Sequence, residues 1–231
     1  DGKPTGSLEN RNTILAAHGG IAVNWEECVA LGKDKARDKV RDASVVYIYH
    51  DRIDLLGDKA PSERKTFEAV EDTLKELNDL LGFLTGNLNA TTIFVTADHG
   101  FLYQESALDA ADRSTLDIKD ETKNAQLFTS KKRYALGKNL AATDKAWCGS
   151  TAITAGTDPS ASMDFWVPKG ATRFHFAGGA RFVHGSAMPQ EIVIPLLTVK
   201  LSESEKAKVS QVNIAPLLFS NKIVTNMSRF E

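Results

Sequence analysis

Val45-Val46-Tyr47-Ile48-Tyr49-His50-Asp51-Arg52-Ile53-Asp54 sets a five-residue β-branched and aromatic run directly against a polar cluster. An unbroken apolar run of this length, ended abruptly by charge, is the pattern of a strand covered on both faces in a parallel sheet. The polar residues then stand at the strand's carboxyl end. The pattern recurs downstream, where Thr91 to Thr96 is a second β-branched run closed by Ala97-Asp98-His99-Gly100. Between the two, Phe67, Val70, Leu74, Leu77, Leu81 and Leu84 recur at steps of three and four. That spacing predicts a long amphipathic helix, starting near Pro61-Ser62 and stopping near Gly86-Asn87. Strand, helix and strand make a right-handed crossover unit. The expected fold class is therefore α/β, a mainly parallel sheet with flanking helices.

Outward from this unit the chain is less regular. Asp1 to Arg11 reads as a loop and Trp25 to Arg41, rich in Glu, Lys and Arg, as an amphipathic helix with one wet face. Residues 106–157 are polar and irregular, the composition of an insertion or lid, with a short strand expected around Arg133 to Leu136. Met163 to Val167 and Thr172 to Phe176, separated by Pro168-Lys169-Gly170, resemble a hairpin. Phe182-Val183-His184-Gly185, a helical turn at Pro189-Gln190-Glu191 and an apolar run from Ile192 to Leu201 follow. The main domain is thus expected over residues 1–201, with Val209 to Phe219 opening a β-rich region within residues 202–231.

With 42% hydrophobic and 25% charged residues, and a net charge of −2, the composition is that of a globular protein without general attraction to nucleic acid or anionic membrane. No apolar run approaches the roughly 20 residues a bilayer needs, and the first twelve residues lack the regions of a signal peptide. A cytoplasmic protein is expected. Cys28 and Cys148 are too few and too far apart for a disulfide framework or a zinc ribbon, so reduced structural thiols are expected.

Chemistry concentrates beyond the carboxyl ends of the two strands, where open α/β sheets place their functional groups. Asp98-His99-Gly100 offers a carboxylate and an imidazole, and the glycine lets the backbone turn away from both. Hard oxygen and borderline nitrogen together favour zinc or manganese over calcium. Taken alone the string recurs by chance, and an Asp capping a turn beside a surface His is the better reading of it. His50, Asp51 and Asp54 would approach that cluster if the two strands pair. His50 and Asp54, four apart, share a side of a helical turn, whereas Asp51 caps the next segment or supports a ligand from behind. A solvated charged loop is the competing reading. His184 is the candidate from a distant part of the chain. His175, between two phenylalanines, reads as structural or pocket-lining, and His18 has no partner nearby in sequence.

In that order these motifs resemble the alkaline-phosphatase superfamily. More narrowly, the stretches at 46–54, at 96–103 (Thr96-Ala97-Asp98-His99-Gly100-Phe101-Leu102-Tyr103) and at 181–191 (Arg181 to Glu191) resemble the PglZ family of BREX phage-defence systems. The resemblance spans about Ile14 to Lys200. It implies an alkaline-phosphatase-like domain and a two-metal phosphatase or phosphodiesterase using zinc or manganese. Carried over, His50, Asp54 and His184 would hold the first metal, and Asp98 and His99 would serve the second. His50 precedes Asp54, where the commoner superfamily order is Asp before His. The superfamily's nucleophile lies upstream of everything matched, which implies a fragment lacking its first strands and itself inactive. Other defence-system proteins and a phosphate-ester or phosphodiester substrate are the implied partners. Two other readings compete: a non-catalytic, metal-stabilised scaffold or regulatory subunit of the defence complex, and a phosphoglycerate-mutase-like enzyme, which would need a basic sugar-phosphate pocket.

Overall fold

The computed structural model describes residues 4–121, 123 and 125–201. The β-rich region expected within 202–231 lies outside them. The first residues are not all loop. Ser7 Oγ accepts from Asn10 N at 3.1 Å and caps helix α1, Leu8–Ala16. Asn12 of that helix exchanges two hydrogen bonds with the backbone of Ala22 in strand β1, Gly20–Asn24. The helix expected over 25–41 is two helices, α2 (Trp25–Ala30) and α3 (Gly32–Val40), divided where Gly32 takes φ +68°, a conformation that ends a helical run. Together they form the crossover from β1 to β2, Val45–Tyr49, which pair in parallel with Asn24 opposite Tyr49.

Helix α4, Arg52–Gly57, starts directly after β2. The long helix is present as α5, Thr66–Leu88, preceded by a tight turn at Glu63–Lys65 and closed by Asn89 in the left-handed conformation. It leads into β3, Thr92–Thr96, as expected.

The sheet differs from expectation. Among the described residues β3 pairs antiparallel with β10, Leu196–Lys200, and has no parallel neighbour, and β2 and β3 belong to separate sheets. Strand β4 (Leu102–Tyr103) pairs antiparallel with β9 (Phe182–Val183). Strands β5 (Gln126–Ser130), β6 (Ala135–Lys138), β7 (Ala146–Ser150) and β8 (Asp164–Pro168) form an antiparallel sheet in the order β5-β6-β8-β7. Among the described residues only β1 and β2 are parallel, so the mainly parallel sheet is corrected to an α/β arrangement of small, mostly antiparallel sheets. Connection length accounts for β5 and β6: strands joined by a few residues can only fold back, whereas a parallel pair needs a crossover of a dozen residues or more. Nor is the opening run covered on both faces, since Val45 is 50% and Phe94 of β3 64% exposed.

Residues 106–157 are correspondingly more than a lid. Leu116, Ala135, Ala146, Trp166 and Phe174 form a buried cluster, and the Trp166 indole donates to Ala141 O at 3.0 Å. The expected hairpin is absent, because β8 pairs with β6 and β7 while Phe174 N donates to Lys132 O and Arg173 N to Asp112 O. Cys28 is buried, which pushes its thiol pKa up, and neither cysteine is in a disulfide. No helix among the described residues is long and apolar enough to cross a membrane.

Candidate metal centre

Three chain segments end in one place. Asp54 lies in the first turn of α4, His99 three residues beyond the end of β3, and His184 just after β9. One ligand atom from each of Asp54, His99 and His184 lies within 4.8 Å of the other two. The imidazoles of His99 and His184 stack face to face, with centroids 4.0 Å apart and planes 6° from parallel.

The tautomer of His99 follows from its neighbour. Its Nδ1 is 3.0 Å from Gly100 O, and a carbonyl can only accept, so Nδ1 carries the proton. Nε2 is then the nitrogen with the lone pair in the neutral ring, and it faces Asp54 Oδ2 at 3.5 Å and Asp98 Oδ2 at 3.7 Å. A backbone acceptor behind one ring nitrogen and a free lone pair on the other is the arrangement that orients imidazole ligands. Burial pushes the Asp54 carboxyl above the usual range, opposed by His184 and His99 and reinforced by Asp58 and Asp98.

The remaining sequence candidates fall differently. Asp98 is exposed at the rim, where its Oδ1 accepts from His99 N at 3.0 Å. Asp51 is exposed at the start of α4 and makes no capping bond. His50 is not in the trio. Its Nε2 is 2.8 Å from Glu76 Oε2 on α5 and its ring stacks on Trp25 at 4.9 Å, while Arg52 bridges Glu76 and Asp72, the latter at 2.8 Å. This network ties the start of α4 to α5. Sequence reasoning overlooked Asp58, which ends α4 with Oδ1 3.5 Å from His184 Nε2. The signal was available, since residues four apart on a helix share a face and Asp54 is four before Asp58.

One carboxylate and two imidazoles with room for Asp58 or Asp98 make a mixed oxygen and nitrogen donor set, which fits zinc or manganese better than calcium. The chain is thus an α/β domain with a candidate divalent-cation site built from the ends of separate segments. Residues 1–199 match the BREX system PglZ alkaline phosphatase-like domain, and the chain belongs to that family. It is 44% identical over 208 residues to the alkaline phosphatase-like protein BrxZ of Escherichia coli O9:H4 (strain HS), covering 90% of this chain and 23% of that protein. It is 34% identical over 230 residues to the alkaline phosphatase-like protein PglZ of Bacillus cereus (strain H3081.97), covering 97% of this chain and 26% of that one. The chain spans about a quarter of the length of these relatives.

Proposed function

We propose that this domain supplies the cation-binding part of a metal-dependent phosphoric ester hydrolase, acting in the cytoplasm with other proteins of a bacterial phage-defence system. The observation that carries the reading is the convergence of Asp54, His99 and His184, with His99 Nδ1 held by Gly100 O and Nε2 facing the carboxylates. Those three residues would hold one divalent cation, zinc or manganese, with Asp58 beside His184. Asp98, at the rim, would contribute to a second, in a protein of the relatives' length. Such cations polarise a phosphoryl oxygen and offset the charge that develops during in-line displacement.

The chain's own residues do the preparing. Gly100 O fixes His99 in the ligating tautomer. Stacking holds His184 parallel to it, and α4 presents Asp54 from a partly desolvated position where its carboxylate gains most from a neighbouring positive charge. The substrate on this reading is a phosphate ester or diester, and the nucleophile is expected outside the matched motifs.

The test uses the domain within a chain of the relatives' length. An aryl phosphate and an aryl diester are offered with and without chelator, and then to Asp54→Ala and His184→Ala variants. Hydrolysis that chelator and either substitution abolish supports the reading. Turnover indifferent to both sinks it, and a cation that raises melting temperature without any turnover favours the scaffold.

A further inference from the structure

Arg133 and Glu191 are fully buried, 58 residues apart in sequence, and paired through two hydrogen bonds, Nε to Oε1 at 2.9 Å and Nη2 to Oε2 at 2.6 Å. Arg133 also donates through Nη1 to Thr172 O. The Glu191 carboxylate takes two more donors, Ser186 N and Met188 N, each at 3.2 Å. Its backbone carbonyl accepts from Gly100 N at 2.8 Å. One residue therefore grips both the loop that follows His184 and the turn that follows His99.

The neighbouring contacts leave little slack. A Cβ on Gly100 would collide with Gln190 O, so the two turns touch backbone to backbone. Tyr134, next to Arg133, lies against Gly185, which takes φ +101°, and a Cβ there would come within 2.7 Å of the Tyr134 ring. Arg133 comes from residues 106–157, whose sequence reads as an insertion or lid.

We infer that the buried Arg133–Glu191 pair is the positioning element of the candidate cation site: it holds the His99 and His184 turns at their ligating separation before any cation arrives. This rests on the reading of Asp54, His99 and His184 as ligands. Burying two charges is a poor way to gain stability alone, since apolar residues of similar size often do as well or better. A bidentate pair does fix orientation, and partners behind metal ligands commonly control affinity about 10–100-fold.

Two measurements on the 231-residue chain test this. In the first, Co2+ is titrated and its visible absorption recorded for the parent and for the Arg133→Met/Glu191→Leu double variant, which removes both charges together. The expected result is a double variant that melts within a few degrees of the parent without metal, yet binds Co2+ about 10–100-fold more weakly with altered bands. A folded double variant with the parent's affinity and spectrum overturns the inference. In the second, hydrogen exchange of the Gly100, Ser186 and Met188 amides is followed in the unsubstituted, metal-free chain. Slow exchange before metal is expected, and fast exchange overturns the inference. The exchange result decides the matter if the double variant does not fold. If the parent fails to bind Co2+, the metal reading fails, and the exchange result still judges whether the junction is rigid.

Discussion

Substituting Gly57 by Ala places one methyl group between α4 and the strand that precedes His184. An ideal Cβ at Gly57 lies 2.6 Å from Phe182 Cγ and 2.7 Å from Cδ1 and Cδ2. Carbon atoms pack best at about 3.5–4.0 Å, so helix and ring must part by roughly 1 Å. Phe182 is 1% exposed and its ring is flanked by Phe101 at 4.7 Å and His184 at 5.9 Å, so it cannot simply swing away. Overpacking of this kind costs about 1–3 kcal/mol, against a gain of up to about 1 kcal/mol for Ala over Gly in a helix. The net loss is roughly 0–2 kcal/mol, a fall in melting temperature of at most about 8 °C for a domain of this size. Cation binding responds more sharply. Asp54 rides on α4 and His184 follows Phe182, and coordination distances tolerate only about 0.2 Å, so affinity for Mn2+ or Zn2+ should fall at least about tenfold. Calorimetric titration and thermal melting read both effects. Gly82→Ala in α5, with no atom within 4 Å of its Cβ, is the control and should stabilise by about 0.5–1 kcal/mol. A Gly57→Ala chain that melts above the parent and binds cations equally well would refute the packing of α4 on Phe182 as what sets Asp54 against His184.

Three further outcomes are expected. His50→Gln should leave cation affinity at the parent's value, measured by the same titration, whereas His99→Ala should remove tight binding; the reverse would restore His50 as a ligand and displace the trio. His175 has its pKa lowered by burial and then by Lys132, Arg113 and Lys131, so the unfolded chain protonates first as pH falls. Its contribution is therefore intact above the ordinary histidine pKa of about 6.5 and is lost as pH drops through that value towards the lowered one. Denaturant melts between neutral and mildly acidic pH should show a shallower loss in His175→Phe, and an unchanged slope would deny His175 this part.

Local pattern was legible where the chain decides locally. The β-branched runs announce β2 and β3 almost to the residue, and the three-and-four spacing announces α5, which starts a turn later than expected, at Thr66. Partner choice was not legible, because a short apolar run looks alike in a parallel sheet and at an antiparallel edge. The partner of β3 is β10, a hundred residues on. The same limit applies at His50: nothing adjacent to it in sequence shows that Glu76, on the facing helix, meets its ring nitrogen. Asp58, by contrast, was legible from its spacing of four from Asp54. The compactness of residues 106–157 depends on Trp166 and Phe174, which lie beyond the segment's polar stretch.

Anomalous diffraction from crystals of this chain soaked in Zn2+ or Mn2+ tests the proposed site most directly. The prediction is a peak about 2.0–2.2 Å from a carboxylate oxygen of Asp54 and from ring nitrogens of His99 and His184. A peak between His50 and Glu76, or none near the trio at saturating metal, would contradict it.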